Sequence, residues 1–343
     1  MAVLRVVPVG GRLRSTTVAA VDASRAWATT WLLALVVCLG VLVTDRMRDL
    51  PDRVGPAAAA ALAAVLAAGL AVRTGGRPWL PALLAVGYGV VATITLEQHL
   101  LAGGAVGVAG LGATLALMAT TPAPGFGRAV VEVLVACALA TVAGLGVGAL
   151  HTHLDTGRFG YVVLGIGLVA AFALVYRLGA GLTGLGTRGY VVAGTAVLLL
   201  VLALAYSEAF GRWGSPTLVS WVDDVRTAVR THLHAVPHPI ETLLGVPALC
   251  WGVFMRARRR QGWWVCAFGI AVTAPATTRF VMAGVTTTAN VLGAVYSLVL
   301  GLMIGFVVIR VDQVFTGSRG RRARRDEEAS AHRPEPGRFA PLR

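Results

Sequence analysis

The sequence predicts an all-α integral membrane protein: a polytopic bundle of about ten transmembrane helices plus one outer amphipathic helix. Three observations carry that expectation. Apolar residues form 56% of the chain and charged residues only 13%, with a mean hydropathy of +0.74, whereas a water-soluble domain carries roughly 25% charged residues. The apolar residues are gathered into long runs, of the length needed to cross a hydrocarbon core of roughly 30 Å. Those runs lack the period-two alternation of barrel strands, so helices are the way to satisfy the backbone in lipid.

Ten runs are read as spans: Trp27–Thr44, Ala57–Val72, Trp79–Leu96, Gly103–Ala119, Ala129–Leu150, Tyr161–Tyr176, Tyr190–Tyr206, Ile240–Met255, Trp263–Phe280 and Val291–Ile309. The first ends in TDRMRD with no small-residue cleavage site, so it stays as an anchor. The second is mostly Ala, which is only marginally apolar, so it depends on its neighbours for insertion. GxxxG spacings at Gly103/Gly107, Gly144/Gly148 and Gly301/Gly305 allow close helix approach.

Orientation follows from arginine, the only basic side chain besides histidine, because the chain contains no Lys. With the N terminus inside, the inner segments hold 22 Arg and the outer segments 8; without the C-terminal tail the figures are 13 and 8. The positive-inside rule then places both termini in the cytoplasm of a cell membrane. Trp27, Trp31, Trp79, Trp263 and Trp264 fall at cytoplasmic span ends, where an aromatic belt is expected. The all-Arg, Ala/Gly/Val-rich composition fits a GC-rich bacterial genome. The absence of Lys excludes a P-loop and a Schiff-base lysine. Cys38, Cys137, Cys250 and Cys266 lie inside apolar runs without CxxC spacing and read as packing residues.

Three regions result: a cytoplasmic arm (1–26), the transmembrane domain (27–310) and a basic tail (311–343) whose charge and Pro content predict disorder. The membrane domain includes an outer loop over about 207–239. There Ser215-Pro216 offers a helix start, and Leu218, Val222, Val225, Val229, Leu233 and Val236 recur on one face, which predicts an amphipathic helix on the membrane surface or over the bundle. The lipid bilayer is the expected partner, with anionic headgroups at Arg256–Arg260 and the tail. No nucleic-acid partner is expected, and a homo-oligomer stays open.

Chemistry-bearing residues are sparse. His99, His151, His153, His232, His234 and His238 fall on the outer side, with Glu97, Asp155, Glu208, Asp223, Asp224 and Glu241. Imidazole with carboxylate suits zinc or a related divalent metal. The candidate ligands are His151, His153 and Asp155, if the fifth helix unwinds after Leu150, joined by His238 in extended chain between prolines. His232 and His234 stand about 200° apart on a helix and cannot share an ion. Substrate-pathway candidates are Glu132, in the first turn of span five, Arg279 at the end of span nine, and Glu97 and His99. Span eight is short and contains Pro247, and span nine contains Pro275; interrupted helices of this kind line transport sites. Gly179, Gly181 and Gly184 fit GxGxxG, but no strand precedes them and a dinucleotide site is excluded.

These features favour a transporter or permease of a small molecule or ion over an enzyme. Two five-span halves meeting near residue 155 resemble the drug/metabolite transporter arrangement in span count, which implies inverted repeats. The alternatives are a membrane-embedded enzyme or envelope assembly factor acting on a lipid-linked substrate at the outer His/Asp groups, and a non-catalytic scaffold. The topology has a direct check: tags placed in the N-terminal arm and beside His232 are expected on opposite sides of the membrane, and protease or alkylation access from one side only to both reverses the assignment.

Overall fold

The computed structural model describes residues 10–48, 50–152, 155–178, 191, 194–202, 216–258, 262–281, 286–316 and 335–342, which are helical with no strand among them. The helices are α1 (Gly10–Met47), α2 (Val54–Arg73), α3 (Trp79–Thr95), α4 (Gln98–Met118), α5 (Phe126–Gly148), α6 (Thr156–Arg177), α7 (Pro216–Leu233), α8 (Val246–Arg256), α9 (Gly262–Ala267), α10 (Ile270–Thr278) and α11 (Thr287–Thr316). A π-helical turn, Glu241–Gly245, leads into α8.

Seven helices are long and apolar enough to cross a membrane: Arg25–Met47, Val54–Arg73, Gln98–Met118, Phe126–Gly148, Thr156–Arg177, Gly262–Val281 and Thr288–Val314. Among the described residues the expected count of ten is not confirmed. Trp79–Thr95 is a shorter apolar helix. Span eight is broken by the π turn before α8, and of span seven only residues 191 and 194–202 are described, helical with Ala196 packed beside Leu244, Ala248 and Phe268. Span nine is itself two pieces, α9 and α10, hinged at Phe268–Gly269, with Pro275 inside the second.

The helices sort into an inside and an outside. Leu83, Leu84 and Ile94 of α3, Val36 and Val37 of α1, Val169 of α6 and Met303 and Val307 of α11 are exposed, so these helices carry the apolar surface that hydrocarbon would cover. α4 and α10 sit in the middle, packed on α5 and α6 and on each other. The Ala-rich α2 lies between α1, α3 and α4 with Ala59, Leu62 and Leu66 fully enclosed. Threonine hydroxyls on the lipid-side helices are satisfied within their own turn: Thr44, Thr93 and Thr141 donate to the carbonyls of Gly40, Gly89 and Cys137 at 2.7–2.8 Å.

Small residues set the core spacing. Gly144 and Gly148 face α10 and Phe280, and Gly301 and Gly305 face Val246 and Cys250 of α8, so two of the three GxxxG pairs lie in contacts. In the third, Gly103 meets Tyr88 and Gly107 meets nothing. α8 and α9 also approach closely, for a Cβ on Gly252 would lie 2.6 Å from the backbone nitrogen of Cys266.

Two expectations need correction. The tryptophan belt is partial: Trp79 is exposed, but Trp31 and Trp263 are buried inside the bundle. The tail expected to be disordered over 311–343 is helical to Thr316, and residues 335–342 return to pack against the helices. Isolated side chains make that return, and composition does not register them. The segment read as an outer loop contains the helix α7, Pro216–Leu233; Ser215 and residues 207–214 lie outside the described residues, as do Gly179, Gly181 and Gly184.

Gly252→Leu is expected to force α8 from α9 at a cost of about 1–3 kcal/mol or more, seen as loss of a monodisperse detergent peak or a lower melting temperature. Gly107→Ala, with no neighbour to meet, serves as the control that stays within about 0.5 kcal/mol.

Candidate functional site

Polar side chains gather at two opposite ends of the bundle. At the first end the chain enters α8 through Val236-Pro237-His238-Pro239, where the prolines keep it extended. The backbone N–H of His238 donates to Ser297 Oγ of α11 at 2.7 Å, and Thr242 Oγ1 donates back to the His238 carbonyl. The π turn follows, and Glu241 lies inward with 3% of its surface exposed.

Glu241 meets Arg279, which lies just past α10 and is 7% exposed. Arg279 Nη2 donates to both carboxylate oxygens at 2.9 Å, and Nη1 donates to the Asn290 carbonyl at 3.0 Å. Asn290 Nδ2 returns a bond to the Arg279 carbonyl at 3.4 Å. One guanidinium thus ties the π turn, the end of α10 and the start of α11. Desolvating two charges in an apolar bundle is repaid only by such complete pairing, and removing one partner strands the other. π turns cluster at functional sites because they re-aim a side chain within a helix. Beside this pair, burial and Arg279 lower the affinity of His238 for its proton, and Glu241 opposes them.

The second end is built from the last turn of α2, the α4–α5 connection, α5, α8 and the returning segment 335–342. Arg73 is enclosed, and all of its bonds go to carbonyls: Nε to Met118 at 2.8 Å, Nη2 to Thr120, and Nη1 to Gly337 and Ala340 at 2.8 and 2.9 Å. Arg256 is fully enclosed over the Trp263 ring at 3.4 Å; it donates to Thr120 Oγ1 at 2.7 Å, to the same Thr120 carbonyl, and to Glu335 at 2.6 Å. Arg338 joins Ala119 and Glu132, whose carboxylate also accepts from the N–H and hydroxyl of Thr121.

The candidates from the sequence separate accordingly. Arg279 belongs to the first cluster and Glu132 to the second. Glu132 stands not in the first turn but further along α5, which begins at Phe126; its partners are Thr121 and Arg338 rather than a helix end. Glu97 and His99 are exposed at the α3–α4 turn and bond to neither cluster. His151 follows the end of α5 with φ 46°, so the helix does unwind there. Asp155 caps α6 and pairs with Arg158 at 3.2 Å on the surface. His153 lies outside the described residues, and among those described no three His, Cys, Asp or Glu groups converge on a metal position. His238 lies instead by Glu241 and Arg279. Arg256, expected at the headgroups, is inside.

Sequence reasoning passed over Arg73, Arg256, Glu241, Asn290, Glu335 and Arg338 as site residues. For Arg73, Arg256, Glu241 and Asn290 the one shared signal is an ionisable or amide side chain at a span end, which positive-inside arginines share; Glu335 and Arg338 lie in the tail and lack it. Compared with known proteins, the chain matches no family model, no curated protein and no solved structure. The functional argument therefore rests on these two clusters.

Glu241→Gln is expected to strand Arg279 and destabilise the protein by about 3–5 kcal/mol, more than Glu97→Gln, in thermal unfolding in detergent. His238 adds an acid limb. Its folded affinity for a proton is below the ordinary value of 6.5, so the unfolded chain takes up the proton first; stability holds above that pH and falls as pH drops below it. His238→Gln should flatten that limb, and an unchanged limb refutes the assignment.

Proposed function

We propose that the protein is a transporter or permease of a small molecule or ion, lodged in the cell membrane with both termini in the cytoplasm. The observation that carries the reading is the enclosed Glu241–Arg279 pair, held between the π turn before α8 and the end of α10, a helix that contains Pro275 and is separated from α9 by a break at Phe268–Gly269. Discontinuous helices free backbone groups inside the bundle, and carriers use such places to hold substrate and coupling ion. An ion pair that can exchange its partner for a charged substrate or a proton provides a binding site that opens to one side at a time. The arginine excess of the segments assigned inside, together with Trp31 of α1 meeting Phe339 of the tail, supports termini on one side.

The test is reconstitution into proteoliposomes on a solid-supported membrane, challenged with panels of organic acids, amino acids, organic cations and inorganic ions. One class is expected to evoke charge movement or tracer uptake. Glu241→Gln and Arg279→Gln should lower it by about tenfold or more, equivalent to about 1.4 kcal/mol, in protein that still elutes as a folded species. Folded, reconstituted protein that moves none of these solutes removes the reading.

A further inference from the structure

The second cluster contains two guanidinium groups that one carbonyl cannot satisfy. Arg73 and Arg256 come from α2 and α8, far apart in sequence, yet both donate to the Thr120 carbonyl at 3.2 Å. Like charges brought this close, and both shut away from water, require an anion between or beside them. In the structure that anion is the Glu335 carboxylate, 2.6 Å from Arg256 and itself 7% exposed.

Glu335 reaches this position on a segment that is poorly able to fold by itself. Pro336 and Pro341 prevent a helix, so carbonyls of residues 336, 337 and 340 have no helical partners and accept from Arg73 instead. Arg338 anchors on Glu132 and Phe339 packs on Trp31, their rings 5.5 Å apart. The segment therefore binds as a ligand does, by charged and aromatic anchors placed into a receptor made by helices that precede it by 79 residues or more.

We propose that Arg73, Arg256 and Thr120, floored by Trp263, form an anion-binding site for a phosphate- or carboxylate-bearing small molecule, and that the tail segment 335–342 is its built-in competitor. The planar guanidinium of Arg256 presents its donors as a fork that matches carboxylate or phosphate oxygens, and Thr120 Oγ1 fixes its orientation. Stacking on Trp263 keeps that fork in place when the carboxylate leaves. The tail occupies the site at the high effective concentration of a tethered group, so a free anion must outcompete it. The proposal does not depend on the transport reading, since the site lies at the opposite end of the bundle from Glu241 and Arg279.

The test uses the full chain with Glu335→Gln and Arg338→Gln combined, which removes both charged anchors of the tail and alters no receptor residue. A nitroxide at Pro341→Cys reports the tail, with the unsubstituted chain, whose four cysteines lie within the helices, as the labelling control. The label is expected to be immobilised with Glu335 and Arg338 present and mobile in the double variant. Inorganic phosphate should then raise the melting temperature of the double variant at a concentration at least about tenfold lower than it does the parent, or about 1.4 kcal/mol of competition. Arg256→Gln on that background should abolish the effect, and where that protein fails to fold, Thr120→Val should weaken it. Phosphatidic acid in mixed micelles forms the second arm: stabilisation by the lipid but not by phosphate assigns a headgroup as the source of the anion. An immobile label in the double variant, or no stabilisation by either probe, overturns the proposal.

Discussion

Hydrocarbon offers no hydrogen bonds, so every polar group carried into this bundle must find its partner within the chain. The arrangement of the whole molecule follows from that constraint. Single hydroxyls are closed on their own helix, as at Thr93 and Thr141. Larger polar groups are gathered where several can satisfy one another, and they do so at two ends. Between these ends lies a layer of Ala, Gly, Val and Leu in α4, α5, α8 and α10, in which Thr273 bonds across to the Ala113 carbonyl. The separation lets the centre pack closely through glycine contacts while the charged groups meet one another at the two ends; Arg256 Nε is buried there without a hydrogen-bond partner. A charge placed in that central layer would have no partner to meet.

Much of the fold was legible because lipid imposes a simple code. Length and apolarity place α2, α4, α5 and α6 within a few residues of their observed limits, and two of the three GxxxG pairs lie in real contacts. What was not legible is instructive. Span nine reads as one continuous apolar run, yet it breaks at Phe268–Gly269, because Gly269 lies tight against Cys266, Leu249 and Leu117. Trp31 and Trp263 have the spacing of interface tryptophans, but each has a partner available only in the folded bundle: the Val65 carbonyl for one, the Arg256 guanidinium for the other. Of the site candidates, Arg279 and Glu132 were singled out for being scarce charges in apolar runs. Glu241 stood among the outer carboxylates without a distinguishing mark, since its inward turn depends on a π distortion that hydropathy does not encode. The tail was the largest departure, since its docking depends on single residues far apart in sequence.

α8 connects the two clusters mechanically. Its π turn begins at Glu241 and its last residue is Arg256, so the segment runs from one ion pair to the other over roughly 20 Å at the helical rise. Along the way Gly245 and Gly252 press on Val272 and Cys266, and Val246 and Cys250 press on the glycines of α11. A rod packed this closely moves as a unit more readily than it bends. If the pair and the tail site are the binding sites proposed above, this segment is the element through which one would be coupled to the other. Such coupling works in both directions, as any linkage between two binding sites must.

The charges at the tail site explain how its occupant can leave without wrecking the fold. The segment brings one acid, Glu335, and one base, Arg338, so its docking adds no net charge to the receptor. Its departure would leave the same total behind but distribute it differently: Glu132 would lose Arg338 and keep its bonds to Thr121, while Arg73 and Arg256 would lose the groups opposite them. The larger unpaired charge would be at the two guanidiniums, since Glu132 retains two donors from Thr121. A neutral or cationic solute cannot relieve it; a compact anion can, because only an anion restores what Glu335 supplied. Under the proposed anion-binding role, selectivity at this end of the molecule would be set by the charge the receptor lacks without Glu335, and that charge is negative.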